Sequence, residues 1–340
     1  MKQTDFARLL TYFLSKFLPG QRNVSTNTIK SYRDAFKQLL LYMSTECKIK
    51  PEHLSFSAIN SETIKDFLLW LENIRNVSIN TRNQRLAAIH SFYRYVQSEC
   101  PEMLFECQKI IGIPFKKHQL QIIKHLTQEN LQLLLKQPNS TTKRGIRDLA
   151  IMVMLYDSGA RIQELIDLKV CDVRISKPST ITLTGKGNKR RIIPIMSKTR
   201  ELLEKYMNLE HLFENGKQNY YIFHNSRNQP FTRPGITYIL KKYFASAKRL
   251  NSDIVFPESI NPHMLRHTKA FHLLECGINI IYIRDFLGHV NVTTTEVYLR
   301  ADTEIKRKAL ESMYINVVSQ EIPEWHEDTD LLNWLQSFCK

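Results

Sequence analysis

Asn261-Pro262-His263-Met264-Leu265-Arg266-His267-Thr268, followed by Phe286-Leu287-Gly288-His289 and then by Val297-Tyr298, is the stretch on which the reading of this chain turns. His263 and Arg266 stand three apart in the first turn of a helix, so both side chains face one ligand. A helix start adds unpaired N–H groups that favour an anion there. Gly288 ends a further helix just before His289, and Tyr298 follows nine residues later, behind a Thr-rich helix start. Taken singly these residues are unremarkable: a lone histidine is usually structural, and Tyr282 and Tyr314 show that tyrosine is common here. His263 and His267 have the i, i+4 spacing of zinc ligands, but position 264 is Met where an H-E-x-x-H site needs glutamate, so no metal is expected.

Working back along the chain, Ser158-Gly159-Ala160-Arg161-Ile162-Gln163-Glu164-Leu165 marks a break between an apolar helix and the next. Arg161 near a helix start is suited to hold a phosphate, because a guanidinium offers paired donors and keeps its charge. Glu164, three residues on, lies on the same face and can orient it. Alone, this cluster reads more readily as an i, i+3 surface ion pair. Gly185-Lys186-Gly187-Asn188-Lys189-Arg190-Arg191 reads as a hairpin tip whose glycines allow close approach to a nucleic-acid backbone and whose four basic residues attract it. Its other reading is an exposed charged turn. The G-x-x-x-x-G-K-[ST] spacing of a nucleotide-binding loop is absent.

The first third reads as helical. Ser25 or Asn27 caps a helix carrying Ile29, Tyr32, Phe36, Leu39, Leu40 and Met43. Ser61 opens a second, with Ile64, Phe67, Leu68 and Leu71; a third starts near Asn80 or Thr81 and carries Leu86, Ile89, Phe92, Tyr93 and Val96. Lys30, Arg33, Lys37, Arg82, Arg85 and Arg94 fall between these apolar stripes, as solvated or DNA-facing cations. Gly112 to His125 lacks a period and is the expected linker. Thr127 then caps a helix, Thr141 or Thr142 precedes a long apolar one, Thr180 to Thr184 and Arg191 to Ile195 form a hairpin, Tyr220 to Phe223 forms a further short strand, and helices resume from Pro234.

A chain of 340 residues exceeds one small core, so two domains are expected. The net charge of +15 favours a polyanionic partner. Residues 1–117 hold 17 basic against 10 acidic side chains and residues 118–318 hold 30 against 18, so no single arm carries the surplus. No apolar run is long enough for a membrane span, and the N-terminus lacks a secretory h-region. The six cysteines include no CxxC pair and read as reduced thiols of a cytoplasmic protein.

Order and spacing together are more specific than any one cluster. Arg-x-x-Glu-Leu, the Gly-Lys-Gly hairpin, His-x-x-Arg-His, Leu-Gly-His and a tyrosine nine residues on resemble the tyrosine recombinase (phage integrase) family, from about Thr127 to Val318. The resemblance implies a mainly α fold with a small antiparallel β-sheet. An N-terminal all-α core-binding domain (1–115), a linker (116–126), an α+β catalytic domain (127–318) and an acidic tail (319–340) are expected. Xer-type or transposon-borne relatives, without a further arm-binding domain in front, are the expected kin.

The resemblance also implies the roles. Tyr298 attacks a DNA phosphodiester to give a 3′-phosphotyrosyl link and a free 5′-hydroxyl, which a second strand reverses through a Holliday junction. Arg161 and Arg266 clamp the non-bridging oxygens, Lys186 protonates the leaving oxygen (Lys189 being its near rival in sequence), His263 assists proton movement and His289 hydrogen-bonds the phosphate. Glu164 holds the arrangement from behind. Lys30, Arg33, Arg82, Arg85, Lys189, Arg190 and Arg191 are the expected DNA contacts. No cofactor and no metal is expected. The partners implied are double-stranded DNA with a specific recombination site and further copies of the chain in a tetramer, with or without a paralogous recombinase, and no membrane. Leu331, Leu332, Trp334, Leu335 and Phe338 form an apolar set on a short tail helix, which packs on a neighbouring subunit or on its own domain. The rivals are a non-catalytic DNA-binding regulator on the same scaffold and a type IB-like topoisomerase.

Overall fold

The computed structural model describes residues 4–117, 123–225, 227–251 and 253–288. His289, Tyr298 and the tail lie outside the described residues, as does the side chain of Lys186. Contacts divide the chain into two compact units, Met1–Gln121 and Ile122–Lys340. The fold is mostly helical, with one small antiparallel sheet among the described residues. None of the described helices is long and apolar enough to cross a membrane.

In the first unit, helix α1 (Asp5–Tyr12) continues through a wider turn at Phe13–Gln21 and is followed by α2 (Thr26–Thr45), α3 (Ser61–Asn73), α4 (Ile79–Glu99) and α5 (Leu104–Ile111). Side-chain caps fix the starts: Ser25 Oγ accepts from the Thr28 amide, Asn60 Oδ1 from Thr63, and Ser78 Oγ from Thr81. The α3 cap is thus Asn60, one residue before the expected Ser61. Phe92 of α4 sits at the centre, with the rings of Phe6, Phe13, Phe36, Phe56 and Tyr93 packed around it at centroid distances of 5.1 to 6.2 Å.

Because α4 packs against α2, α3 and α5, positions beside its apolar stripe are covered too. Arg82 is buried, ion-paired to Glu72 at 3.3 Å and bonded to the Pro114 carbonyl. Arg85 is half-buried and donates to the Ser31 carbonyl at 3.2 Å. Neither stands as the free surface cation that the stripe pattern implied; Lys30 and Arg33 are exposed.

In the second unit, α6 (Gln128–Leu135) and α7 (Lys143–Asp157) are capped by Thr127 and Thr142. The short α8 (Ile162–Ile166) leads to strands β1 (Val173–Arg174), β2 (Thr180–Thr184) and β3 (Arg190–Pro194), and then to α9 (Ser197–Leu209), α10 (Arg233–Leu250), α11 (Pro262–Glu275) and α12 (Ile280–Leu287). The strands lie in the order β1-β2-β3, all antiparallel, with Leu183 opposite Arg191 and Thr184 opposite Arg190. Ile181, Leu183 and Ile193 face the core while Thr184 and Arg190 face solvent, the period-2 alternation of a half-buried sheet.

Two sequence expectations shift here. The returning strand starts at Arg190, one residue early. Tyr220 to Phe223 forms no strand: Tyr221 makes only an isolated bridge to Lys169, and the neighbouring main-chain bonds run to residues 168 to 170. Its apolar character serves the core, where Ile222 and Phe223 are fully buried.

Candidate active site

The site is assembled where α7 gives way to α8, where β3 leaves the hairpin, and where α12 stops. Between α7 and α8 the chain turns through Gly159, whose φ of +55° favours glycine. A Cβ there would lie 2.8 Å from Leu287 Cδ2 and 3.1 Å from Phe286 Cε1, so the close seating of α12 requires its absence. At the other side α12 ends in Gly288 at φ +64°, a left-handed stop.

Arg161 occupies the N-cap of α8. It has no short hydroxyl to cap its helix, and Glu164 reaches back instead: the Arg161 amide donates to Glu164 Oε2 at 2.8 Å, and Arg161 Nη1 donates to Oε1 at 2.8 Å. Arg161 Nη2 donates to the Gly288 carbonyl at 3.2 Å. Arg266, on α11 and only 2% exposed, donates to the Gly159 carbonyl through Nη1 and to the Leu287 carbonyl through Nη2, both at 2.6 Å. Two arginines 105 positions apart thus anchor on consecutive carbonyls, Leu287 and Gly288, at the end of α12.

The hairpin comes to the same place. The Gly185 amide donates to the Lys189 carbonyl at 2.8 Å, closing the tip, and a Cβ on Gly185 would sit 3.0 Å from Glu164 Oε1. Lys189 and Arg190 are exposed. Arg191 turns inward instead, its guanidinium gripping both oxygens of Glu164. Sequence grouped it with the outward hairpin cations, and strand alternation separates it from them.

Electrostatics follow from this packing. Burial pushes the Glu164 carboxyl up, but the hydrogen bonds and charge of Arg191, then those from Arg161, outweigh it and hold the pKa below its ordinary value. His263 is an exposed residue whose pKa is nonetheless held below the ordinary imidazole value, by desolvation against its neighbours and then by the charges of Arg266, Arg161 and Arg233. His267 falls to about 4, from burial and then from His263 and Arg266. Behind α11, His272 Nε2 faces the Leu126 carbonyl at 3.1 Å and its Nδ1 faces the Tyr156 hydroxyl at 2.8 Å. A carbonyl only accepts, so Nε2 carries the proton and Nδ1 accepts from Tyr156.

The structure therefore brings Arg161, Glu164, His263 and Arg266 together, with the hairpin bearing Lys186 against them. It also adds Arg233 at the start of α10, whose Nε donates to Gln163 Oε1 at 2.8 Å and whose charge reaches His263. Sequence reasoning passed over Arg233, since its only signal is a basic residue beside a Thr-x-Pro helix start. Among the described residues no cluster of three His, Cys, Asp or Glu side chains is placed to hold a metal ion.

Comparison with known proteins now fits this geometry. The phage integrase family pattern matches residues 124–304, and the N-terminal SAM-like domain of phage integrases matches residues 14–100. The chain is 32% identical to putative integrase/recombinase y4rC of Sinorhizobium fredii (strain NBRC 101917 / NGR234), with 99% of each chain covered. It is 30% identical to tyrosine recombinase XerD of Halalkalibacterium halodurans over 88% of this chain and 93% of that one. In fold it matches XerH site-specific recombinase bound to palindromic difH substrate in a post-cleavage complex (TM-score 0.67, 21% identity, 89% of this chain and 83% of that one). It also matches the Tn1549 transposon integrase in complex with transposon right end DNA (TM-score 0.66, 16% identity, 88% and 98%). By sequence match over both units, this chain belongs to the phage integrase family, the tyrosine recombinases.

Proposed function

We propose that this chain is a site-specific DNA recombinase that breaks and rejoins duplex DNA through a 3′-phosphotyrosyl intermediate on Tyr298. The observation that carries the reading is the convergence of Arg161 and Arg266 on the Leu287 and Gly288 carbonyls, one residue before His289 and ten before Tyr298. Two guanidiniums fixed in this way suit the non-bridging oxygens of a phosphodiester as charge builds on them. Removing one such donor costs on the order of 100- to 1000-fold in rate.

The remaining roles are those that the family resemblance implies for these positions. His263, kept neutral by its surroundings, has a free lone pair to move a proton near the nucleophile. Lys186 on the hairpin protonates the leaving 5′-oxygen, and His289 hydrogen-bonds the phosphate. Tyr298, with an ordinary pKa near ~10, gains from cationic neighbours that favour its ionised form. The phosphotyrosyl bond conserves the energy of the bond it replaces, so strand exchange through a Holliday junction proceeds without ATP or metal. The exposed cations Lys30, Arg33, Lys189 and Arg190 bind the duplex backbone. Four copies act together on DNA, alone or with a paralogous recombinase, and the tail carrying Trp334 and Phe338 docks on a neighbouring subunit. The site of action is the cytoplasm, on DNA.

The test is covalent capture on nicked, randomised and genomic duplexes, comparing wild type with Tyr298→Phe on denaturing gels. An adduct that requires Tyr298 is expected, and sequencing the captured DNA identifies the target site. Specific binding without an adduct favours a regulator or a missing partner subunit. Relaxation of any supercoiled plasmid favours a topoisomerase, and an adduct that survives Tyr298→Phe means another nucleophile.

A further inference from the structure

Among the hairpin cations whose side chains are described, Arg191 alone turns away from solvent, and all three of its nitrogens are engaged. Nη1 donates to Glu164 Oε1 at 3.0 Å, Nη2 to Glu164 Oε2 at 2.7 Å, and Nε to the Phe286 carbonyl at 3.1 Å. Its side chain keeps 12% of its surface, against 34% for Arg161. Gly288 makes room for it: a Cβ there would lie 3.1 Å from both Cδ and Nη1 of Arg191. One side chain therefore ties β3, the start of α8 and the end of α12 to each other.

The charges explain why such a tie serves the site. A lone Arg161–Glu164 pair is neutral overall and would do little for the extra charge that builds on the phosphate during cleavage, whereas affinity for the uncleaved duplex comes from the exposed cations. With Arg191 on the same carboxylate the trio carries one net positive charge, and Arg161 is its most solvent-open member. Bidentate pairing also leaves Glu164 no freedom to swing, so the Arg161 donors that remain point one way.

We infer that Arg191 is a positioning residue for strand cleavage, holding Glu164 and the Phe286–Gly288 turn so that Arg161 meets the phosphate, without itself touching DNA. The inference rests on the recombinase reading above. It differs from the expectation that Arg191 is a DNA contact, and the two make opposite predictions.

The experiment compares wild type, Arg191→Met and Arg191→Lys on duplexes captured by the wild-type protein. It reads the single-turnover rate of adduct formation at saturating protein, and DNA affinity as a function of salt. Misplacing a reacting group by ~1 Å costs on the order of 100-fold, so Arg191→Met should slow adduct formation by about 10- to 100-fold. Affinity and salt slope should stay at the wild-type value. Arg191→Lys keeps the charge but cannot chelate both oxygens and the carbonyl at once, so only part of the rate returns; it also guards against a variant that fails to fold. In a Glu164→Gln background, Arg191→Met should cost far less than in wild type, because the partner it holds is already changed.

Wild-type cleavage rates in both variants would overturn the inference. So would a rate loss that tracks weaker binding with a salt slope smaller by about one, the mark of a lost phosphate contact. A wild-type protein that captures no DNA counts against the recombinase reading, or against its acting without a partner subunit, and not against the place of Arg191. The salt slopes of wild type and Arg191→Met on genomic duplex then still decide the matter: equal slopes keep Arg191 in the interior, and a smaller slope puts it on DNA.

Discussion

Glu164 shows how far one residue's environment outruns its sequence signal. The i, i+3 spacing exposed its bond to Arg161, and that bond is present. The second guanidinium was hidden because the sequence groups Arg191 with the cations of the hairpin tip, whereas both Arg190 and Arg191 lie within β3 and strand alternation puts them on opposite faces. The consequence is measurable as stability. Glu164→Gln leaves two guanidiniums facing a neutral amide, at a cost of about 2–3 kcal/mol at pH 7, less than a fully buried pair because Arg161 is partly in water. The folded pKa of Glu164 lies below its ordinary 4.5, so the stability it contributes is complete above that value and is lost as pH falls through the folded one. Urea unfolding of wild type and Glu164→Gln should therefore show a constant gap from pH 7 to pH 5 that narrows below 4.5. A gap unchanged by acid would mean that the carboxylate is not the charged partner of Arg191.

Among the elements, those with strong local signals were legible. Ser25, Thr127 and Thr142 cap their helices, and the hairpin forms around its glycines. What the sequence could not convey is which neighbours cover a helix: α4 buries Arg82 because three helices pack on it, and Tyr220 to Phe223 serves the core rather than the sheet. Helix α11 has a further property set by packing. His263, His267 and His272 all have depressed pKa values, each chiefly from burial. As pH falls through the ordinary value of 6.5 the unfolded chain takes up protons that the folded helix refuses, so stability is full above that value and declines below it. For His267 the decline runs down to about 4. Unfolding midpoints measured from pH 7.5 to 4.5 should hold down to about 6.5 and then drop in wild type, and drop less steeply in His267→Gln. Parallel curves would show that His267 titrates alike in the folded and unfolded chain. Glu164 does not confuse this window, since its own titration lies below 4.5.

For the whole molecule, a charge of +15 spread over both halves of the sequence makes DNA affinity a salt-dependent quantity, and the structure sorts which cations contribute. Composition alone counts Lys30, Arg33, Arg82 and Arg191 as equals. Burial divides them: the first two are exposed, Arg82 is committed to Glu72 and the Pro114 carbonyl, and Arg191 to Glu164. Each phosphate contact releases counterions and adds about 0.9 to the slope of log affinity against log salt. Lys30→Gln with Arg33→Gln should thus lower the slope by between about one and two, the smaller value if Arg33 keeps its charge shared with Asp34, 2.8 Å away. Arg82→Gln removes one formal charge but no phosphate contact, so the slope should hold while the first unit loses stability by leaving Glu72 half-buried beside Lys116 alone. Fluorescence titrations on one duplex across a salt series, paired with thermal melts, separate the two outcomes. A slope change for Arg82→Gln equal to that of Lys30→Gln would mean that Arg82 leaves its ion pair when DNA binds.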